Sequence, residues 1–394
     1  MPGLYIHIPF CLKRCIYCDF YSTTCTDEKD AYLTALLYEM EIRRFEWQDK
    51  VFDTIYFGGG TPSTLPPKDL QKIFDGIYRF FSVSAHTEIT LEANPDDLTA
   101  KYVKSLKMLP VNRISIGIQS FDDNDLRLLN RRHTYQEAIE AVNRCKEAGL
   151  ENISIDLMYA LPGQTTEKWI KTIEKAIMLD VPHISAYSLT YEEGTKIYKM
   201  LNNKETIPIE DDFCEQFYQI LTAKLTAAGY VHYEISNFAR QSAQPCNIFQ
   251  FSPESSSGFN FQLSHHNASY WNGTHYLGLG PSAHSYDGKS RSWNISSLSK
   301  YIDAMRDNSN DFFESERLDE RARYNDFLIT RLRTMWGISL EELRREFGKV
   351  QENAFLEKSE HLINIKKLKK EGKYVKVSHE NFYISDAILR ELID

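Results

Sequence analysis

The chain lacks an excess of positive charge. Its 46 Lys and Arg are outnumbered by 55 Asp and Glu, a formal net charge of −9. Broad nucleic-acid binding needs a basic surface to neutralise phosphates, so no nucleic-acid partner is expected. The one basic stretch, KKLKKEGKYVK at 366–376, reads as a solvated helix end followed by a turn. Long apolar runs are also missing, and none reaches the roughly 18 residues of a membrane span. The start, MPGLYIHIPF, lacks the basic residues and apolar stretch of a secretion signal, so a cytoplasmic location is expected. Cysteine is scarce, and four of the seven (Cys25, Cys145, Cys214, Cys246) are scattered. That scatter argues against a disulfide framework and fits free thiols in a reducing compartment.

What remains is an ordinary globular composition, 42% hydrophobic and 26% charged, on 394 residues. That length allows more than one domain. Six β-rich runs recur: LYIHIPF (4–10), TIYFGGG (54–60), EITLEANP (88–95), RISIGIQS (113–120), NISIDLMYALPG (152–163) and HISAYSLT (183–190). Helical patterns such as YQEAIEAVNRCKEAGL separate them. Strand alternating with helix predicts a parallel sheet with helices outside. Several runs are apolar nearly throughout, as strands covered on both faces are. Six units are too few for a closed eight-fold barrel. They predict a partial barrel or an open doubly wound sheet, with ligands beyond the C-terminal strand ends. The chemically distinctive residues fall at or near those ends: three cysteines after strand one, GGGTP (58–62) after strand two, then Glu92, Gln119 and Asp156.

After Pro208 the pattern changes. A helix over 210–228 leads to GYVHYEISNFAR, and residues 241–264, rich in Ser, Gln, Asn and Phe, read as a long irregular loop. From 297 the chain is helical and charged, ending in YVKVSHENFYIS, read as a hairpin. Helix, turn, helix, hairpin outlines a winged-helix-like unit.

Cys11, Cys15 and Cys18 fall within eight residues as CxxxCxxC. A structural zinc ion would need a fourth ligand in a closed tetrahedron, and His7 is the nearest candidate. The paired CxxC motifs of zinc ribbons are absent. A four-iron cluster held by three thiolates keeps one iron open, and a single tight loop suits it.

CxxxCxxC after a first strand, with Tyr17 before the last cysteine, resembles the radical S-adenosylmethionine (SAM) superfamily. The resemblance implies a partial (β/α)6 barrel, a [4Fe-4S] cluster, and SAM as the missing ligand through its amino and carboxylate groups. Reductive cleavage of SAM to a 5′-deoxyadenosyl radical would follow, the hard chemistry being the cofactor's. Carried over by motif, Tyr5, Tyr17, Gly59, Gly60, Thr61, Glu92, Gln119, Arg131 and Asp156 would line the SAM site. The glycines would let backbone approach the ligand, and Arg131 would pair a carboxylate with two parallel hydrogen bonds.

Seven blocks are most similar to the oxygen-independent coproporphyrinogen III oxidase group: YIHIPFCxxxCxYCDF, YFGGGTPS, EANPDDL, RISIGIQSF, LNRRH, DLMYALPGQT and YEISNFA. The oxidases carry a further cysteine two residues after the third, where this chain has Phe20. They also have an N-terminal extension, whereas little precedes Tyr5 here. Both departures, and an HNxxYW signature at 266–271, resemble the group's haem chaperone branch. That branch implies haem contact through His266, Tyr270 and Trp271, with His265 and His284 as alternative ligands. A neutral imidazole suits haem iron, and aromatic rings stack on a flat macrocycle.

The resulting expectation is a radical SAM core over 1–235, an extension with the haem block over 236–296, and a C-terminal α+β, winged-helix-like region over 297–394. Its implied partners are haem or porphyrinogen, an electron donor and haem-acceptor proteins, with peripheral membrane contact only through acceptors. The alternatives are oxidative decarboxylation of coproporphyrinogen III and radical chemistry on another substrate. A DNA-binding regulator conflicts with the net charge.

Overall fold

The computed structural model describes residues 2–241 and 261–393, so nearly all of the expected irregular loop at 241–264 lies outside the described residues. The chain divides into two compact units, each drawn from two stretches: residues 1–224 with 275–316, and 225–274 with 317–394. Residues 236–296 thus contribute to both units.

The first unit opens with six strands, β1 (Gly3–Ile8), β2 (Val51–Gly59), β3 (Ser82–Ala93), β4 (Arg113–Gln119), β5 (Ile153–Tyr159) and β6 (His183–Ser188), each parallel to the next. Between them run α1 (Lys29–Arg43), α2 (Pro67–Phe80), α3 (Ala100–Leu106), α4 (Asp123–Leu128), α5 (Tyr135–Glu147) and α6 (Thr166–Met178); α7 (Lys196–Asn202) and α8 (Asp211–Ala227) follow β6. Local signals set the helix starts. Thr134 and Glu137 form a reciprocal capping box on α5, and Asp122 and Thr165 cap α4 and α6.

Alternation along the strands sorts residues into two faces. Leu4, Ile6, Ile8, Ile55, Phe57, Ile89, Leu91, Ile114, Ile116, Ile153, Ile155 and Ile184 form one buried aliphatic face. Each such side chain contributes about 1.5–3 kcal/mol on burial. Helices pack on that face, Phe57 against Phe74 of α2 and Tyr159 against Trp169 of α6. The opposite face carries Tyr5, His7, Tyr56, Glu88, Thr90, Glu92, Arg113, Ser115, Ser154, Asp156, His183 and Ser185, brought level by register. Covered on both sides, the strands still alternate apolar with polar. The expectation that several runs are apolar nearly throughout is thereby corrected, because their second face carries buried polar and charged side chains. A parallel sheet with its helices on the aliphatic face is compatible with a partial barrel, and no closed barrel forms among the described residues.

The sheet also extends beyond β1. Strands β9 (Tyr276–Leu279), β10 (His284–Tyr286), β11 (Ser290–Asn294) and β12 (Phe313–Arg317) continue it in the order β12-β11-β10-β9-β1, with β9 parallel to β1. Buried Glu39 of α1 holds this extension. It accepts from Gly280 N (2.7 Å), Asn294 Nδ2 (2.7 Å) and Tyr301 Oη (2.6 Å), the last from α10 (Leu298–Arg306).

In the second unit β7 (Tyr230–Glu234) and β8 (Asn237–Arg240) form a hairpin, and α9 (His265–Trp271) carries the HNxxYW block. Then come α11 (Glu320–Leu332), β13 (Ile338–Ser339), α12 (Leu340–Asn364), β14 (Leu368–Glu371), β15 (Tyr374–Val377) and α13 (Ser385–Leu392). Gly348 breaks α12 with a φ of +85°, giving the helix–turn–helix of the expected outline. The hairpin lies earlier than expected. It is β14 and β15 inside the lysine-rich stretch, while His379–Ile384 is a 3-10 helix. Lysine's poor strand propensity hid it. No helix among the described residues is long and apolar enough to cross a membrane.

Candidate functional site

The loop after β1 is fastened at its base and its tip. Thr23 N donates to Pro9 O (2.7 Å) and Cys11 N to Thr23 O (2.9 Å), closing the base. Ile16, between the second and third cysteines, plugs an apolar cluster of Leu129, Met158, Leu161, Leu189 and Ile197, with Tyr17 packed beside it. Backbone bonds pin the same residue, Ile16 N to Leu129 O (3.3 Å) and Ile197 N to Ile16 O (2.9 Å). Ile16 thus anchors the stretch between the second and third cysteines.

Cys11 is buried, and Cys15 and Cys18 are partly so. Burial, and each other's charge, push the thiols of Cys11 and Cys18 up, the latter to about 11. Cys11 Sγ meets Thr61 Oγ1 at 3.4 Å, and Arg131 Nη1 donates to Cys15 Sγ at 3.3 Å. Three mutually repelling thiolates fit a cationic guest. Among the described residues no three His, Cys, Asp or Glu converge tightly enough to chelate one metal ion. A cage whose irons each take one thiolate suits the triplet better than a single zinc ion. His7 is not free to complete a tetrahedron. Its Nε2–H donates to Tyr21 O (2.9 Å) and its Nδ1 accepts from Tyr5 Oη (3.3 Å), while burial lowers its pKa to about 4.

Gly59, the last residue of β2, and Gly60 after it face protein. A Cβ on Gly59, whose φ is +103°, would lie 2.6 Å from the His7 ring, and one on Gly60 would lie 2.8 Å from Ile8 O and Phe10 O. They let β2 pass close to β1 and the cysteine loop, a reason the sequence did not disclose.

The other strand ends converge on the polar face. Glu92 accepts from Tyr56 Oη at 2.7 Å, and burial raises its carboxyl to about 7. Asp156 is held by Ser115 Oγ (3.4 Å) and Ser185, its pKa also raised by burial. A register shift between Gly117 and Gln119, with a φ of +69° at Gln119, re-aims that buried side chain at the end of β4. Arg131 also donates through Nη2 to Asn94 Oδ1 and Gly117 O. Its terminal nitrogens are thus engaged by protein, and the pair of parallel bonds to a carboxylate is not available in this arrangement. Sequence reasoning missed Asn94, Tyr56, Ser115, Ser185 and the Ile16 anchor. Strand alternation carried the signal for Tyr56, two residues before Gly58, and for Ser115, four residues before Gln119.

The HNxxYW block lies in the other unit. His266 is buried with Nε2 bonded to Tyr270 Oη at 2.8 Å, and Ser269 Oγ donates to His266 O at 2.7 Å. Tyr270 and Trp271 are half-buried. Arg331 of α11 closes the end of α9, donating to Trp271 O (2.7 Å) and Asn272 O (2.8 Å) while paired with Glu342 (2.8 Å). His265 is buried; His284, in the first unit, is exposed and stacked on Trp293.

Residues 5–176 match the Radical SAM superfamily and residues 318–384 the HemN C-terminal domain. The chain is 34% identical to "Heme chaperone HemW" of Bacillus subtilis (strain 168), across 90% of this chain and 89% of that protein. It is 32% identical to "Heme chaperone HemW" of Lactococcus lactis subsp. lactis (strain IL1403), across 99% and 96%. The solved coproporphyrinogen III oxidase (HemN) from Escherichia coli superposes with a TM-score of 0.83 at 22% identity, covering 100% of this chain and 90% of that one, a likeness of fold. With its thiol triplet, polar strand ends and both family segments in place, the chain belongs to the radical SAM superfamily, in the HemW-like branch of the coproporphyrinogen oxidase-like group.

Proposed function

We propose that the chain is a haem chaperone that binds a [4Fe-4S] cluster, SAM and haem and passes haem to acceptor proteins. The observation that carries this reading is the HNxxYW helix in a chain whose relatives in Bacillus subtilis and Lactococcus lactis are named heme chaperones. Cys11, Cys15 and Cys18 would each hold one iron. Tyr5, Tyr17, Gly59, Gly60, Thr61, Glu92, Gln119, Arg131 and Asp156 would surround SAM. Bound together, cluster and SAM supply one-electron chemistry, with an electron donor from outside the chain. The chain's own part is to fasten the loop through Ile16, present carboxylates at the strand ends and exclude water.

His266, Tyr270 and Trp271 would meet haem. Coordination requires His266 Nε2 to exchange its bond with Tyr270 for the iron, and the half-buried Trp271 offers a face for stacking. In functional terms the segments are core (1–235), haem-bearing extension (236–296) and C-terminal region (297–394), in a cytoplasmic protein.

The oxidase reading is weakened at Phe20, which stands 63% exposed where the oxidases place a fourth cysteine. Anaerobically reconstituted protein is offered haem and coproporphyrinogen III separately. Haem retention that His266→Ala weakens at least tenfold supports the chaperone; conversion to protoporphyrinogen IX overturns it.

A further inference from the structure

Arg113 is 1% exposed on the polar face of β4, and no motif accounts for it. Its Nε and Nη1 have no hydrogen-bond partner among the described residues. Two neighbours at the same level share that condition. Thr90, opposite Arg113 in the β3–β4 register and wholly buried, has an unpartnered Oγ1. Asn152 has an unpartnered Oδ1 one residue before β5, beside Arg113 in the β4–β5 register.

A buried guanidinium without acceptors is costly and is retained only where something compensates it. Two donors, a hydroxyl and an amide oxygen in one row make a set that ordered water satisfies. The groups sharing the polar face of the sheet with Arg113 include Tyr56 of β2, Glu92 of β3, Asp156 of β5 and His183 of β6, and its charge acts on each. Glu88 stands on the same face of β3, one pleat from Thr90. Glu92 additionally faces Tyr56, Asp156 and the Gly59 N–H, and Asp156 also faces Arg131. None of these groups forms a direct hydrogen bond with Arg113.

We propose that Arg113, with Thr90 and Asn152, forms a buried, water-bridged charge site that favours the anionic form of the cofactor-facing carboxylates of Glu92 and Asp156 against the burial that opposes it. Arg113 is then a positioning residue, acting on SAM through those carboxylates without touching it. The inference rests on the reading of these carboxylates as SAM contacts. Its physical content is charge at a distance. A substitution that preserves charge preserves the effect, and one that preserves only volume does not.

SAM affinity is measured by equilibrium dialysis on cluster-reconstituted protein from pH 6 to 9 for wild type, Arg113→Lys and Arg113→Met. The expected result is an upward shift of the binding midpoint by about one pH unit for Arg113→Met, with Arg113→Lys close to wild type. Equal midpoints for all three, or equal shifts for both variants, overturn the proposal. Wild type that binds no SAM at any pH overturns the underlying reading instead. Should Arg113→Met not fold, a high-resolution crystal structure of the wild type decides. A water bonded to Arg113 and to Thr90 Oγ1 or Asn152 Oδ1 upholds the site, and a guanidinium paired directly with a carboxylate refutes it.

Discussion

Glu92 places a titration inside the working range of the site. Its carboxyl is raised to about 7 by burial against the pull of Tyr56, so it is neutral below that pH and anionic above. If the anion meets the cofactor's cationic part, SAM affinity falls by about tenfold per unit below pH 7 and levels off above pH 8. Affinity measured across that range checks the slope, and Glu92→Gln should flatten it. The cysteines, Glu92 and Asp156 were legible because a family motif or a strand end marked them. Arg131 was legible as a residue but not in its role, since its bonds to Cys15, Asn94 and Gly117 join segments far apart in sequence. Thr90 and Arg113 carried no motif signal, and it is the register that sets them side by side.

Close passage of β2 over β1 makes Gly59 intolerant of a side chain. Gly59→Ala adds a Cβ 2.6 Å from the His7 ring at a φ of +103° and should destabilise the fold by about 3 kcal/mol. Urea unfolding of the variant measures this; a loss below about 0.5 kcal/mol would mean that the turn relaxes freely. Helix α9 depends on a side-chain cap at its C-terminal end. Arg331→Ala leaves the Trp271 and Asn272 carbonyls uncapped and Glu342 unpaired, a cost of about 2 kcal/mol. Its unfolding midpoint should fall accordingly, and haem retention with it. The six core strands were readable as β-rich runs, each at least six residues long in the structure, separated by helical pattern. Strands β9 to β11 were not, being three to five residues long and broken by glycine, serine and histidine. A distant buried carboxylate, Glu39, holds them in the sheet.

At the scale of the molecule, six histidines are buried among the described residues, and three of them, His7, His133 and His232, are held neutral well below the usual histidine range. His7 and His232 are lowered to about 4 and His133 to about 3, burial being the main cause in each. The unfolded chain takes up those protons near pH 6.5, so it binds more protons than the native state between 6.5 and about 4. Stability is therefore retained above pH 6.5 and lost as the pH falls through that window, by on the order of 3 kcal/mol for each histidine. Urea unfolding at pH 7.5 and 5.0 should show the decline, and an unchanged midpoint would contradict it. The parallel α/β core was legible because pattern and motif agree there. The interleaving of two units was not, because pattern describes neighbours in sequence and the units are assembled from separated stretches. All of the functional reading depends on an iron left open by the Cys11, Cys15 and Cys18 loop. Electron paramagnetic resonance of the anaerobically reduced protein, with and without SAM, tests it most directly. The account predicts a four-iron signal whose g values shift on adding SAM and which Cys15→Ala abolishes; a spectrum indifferent to SAM would contradict it.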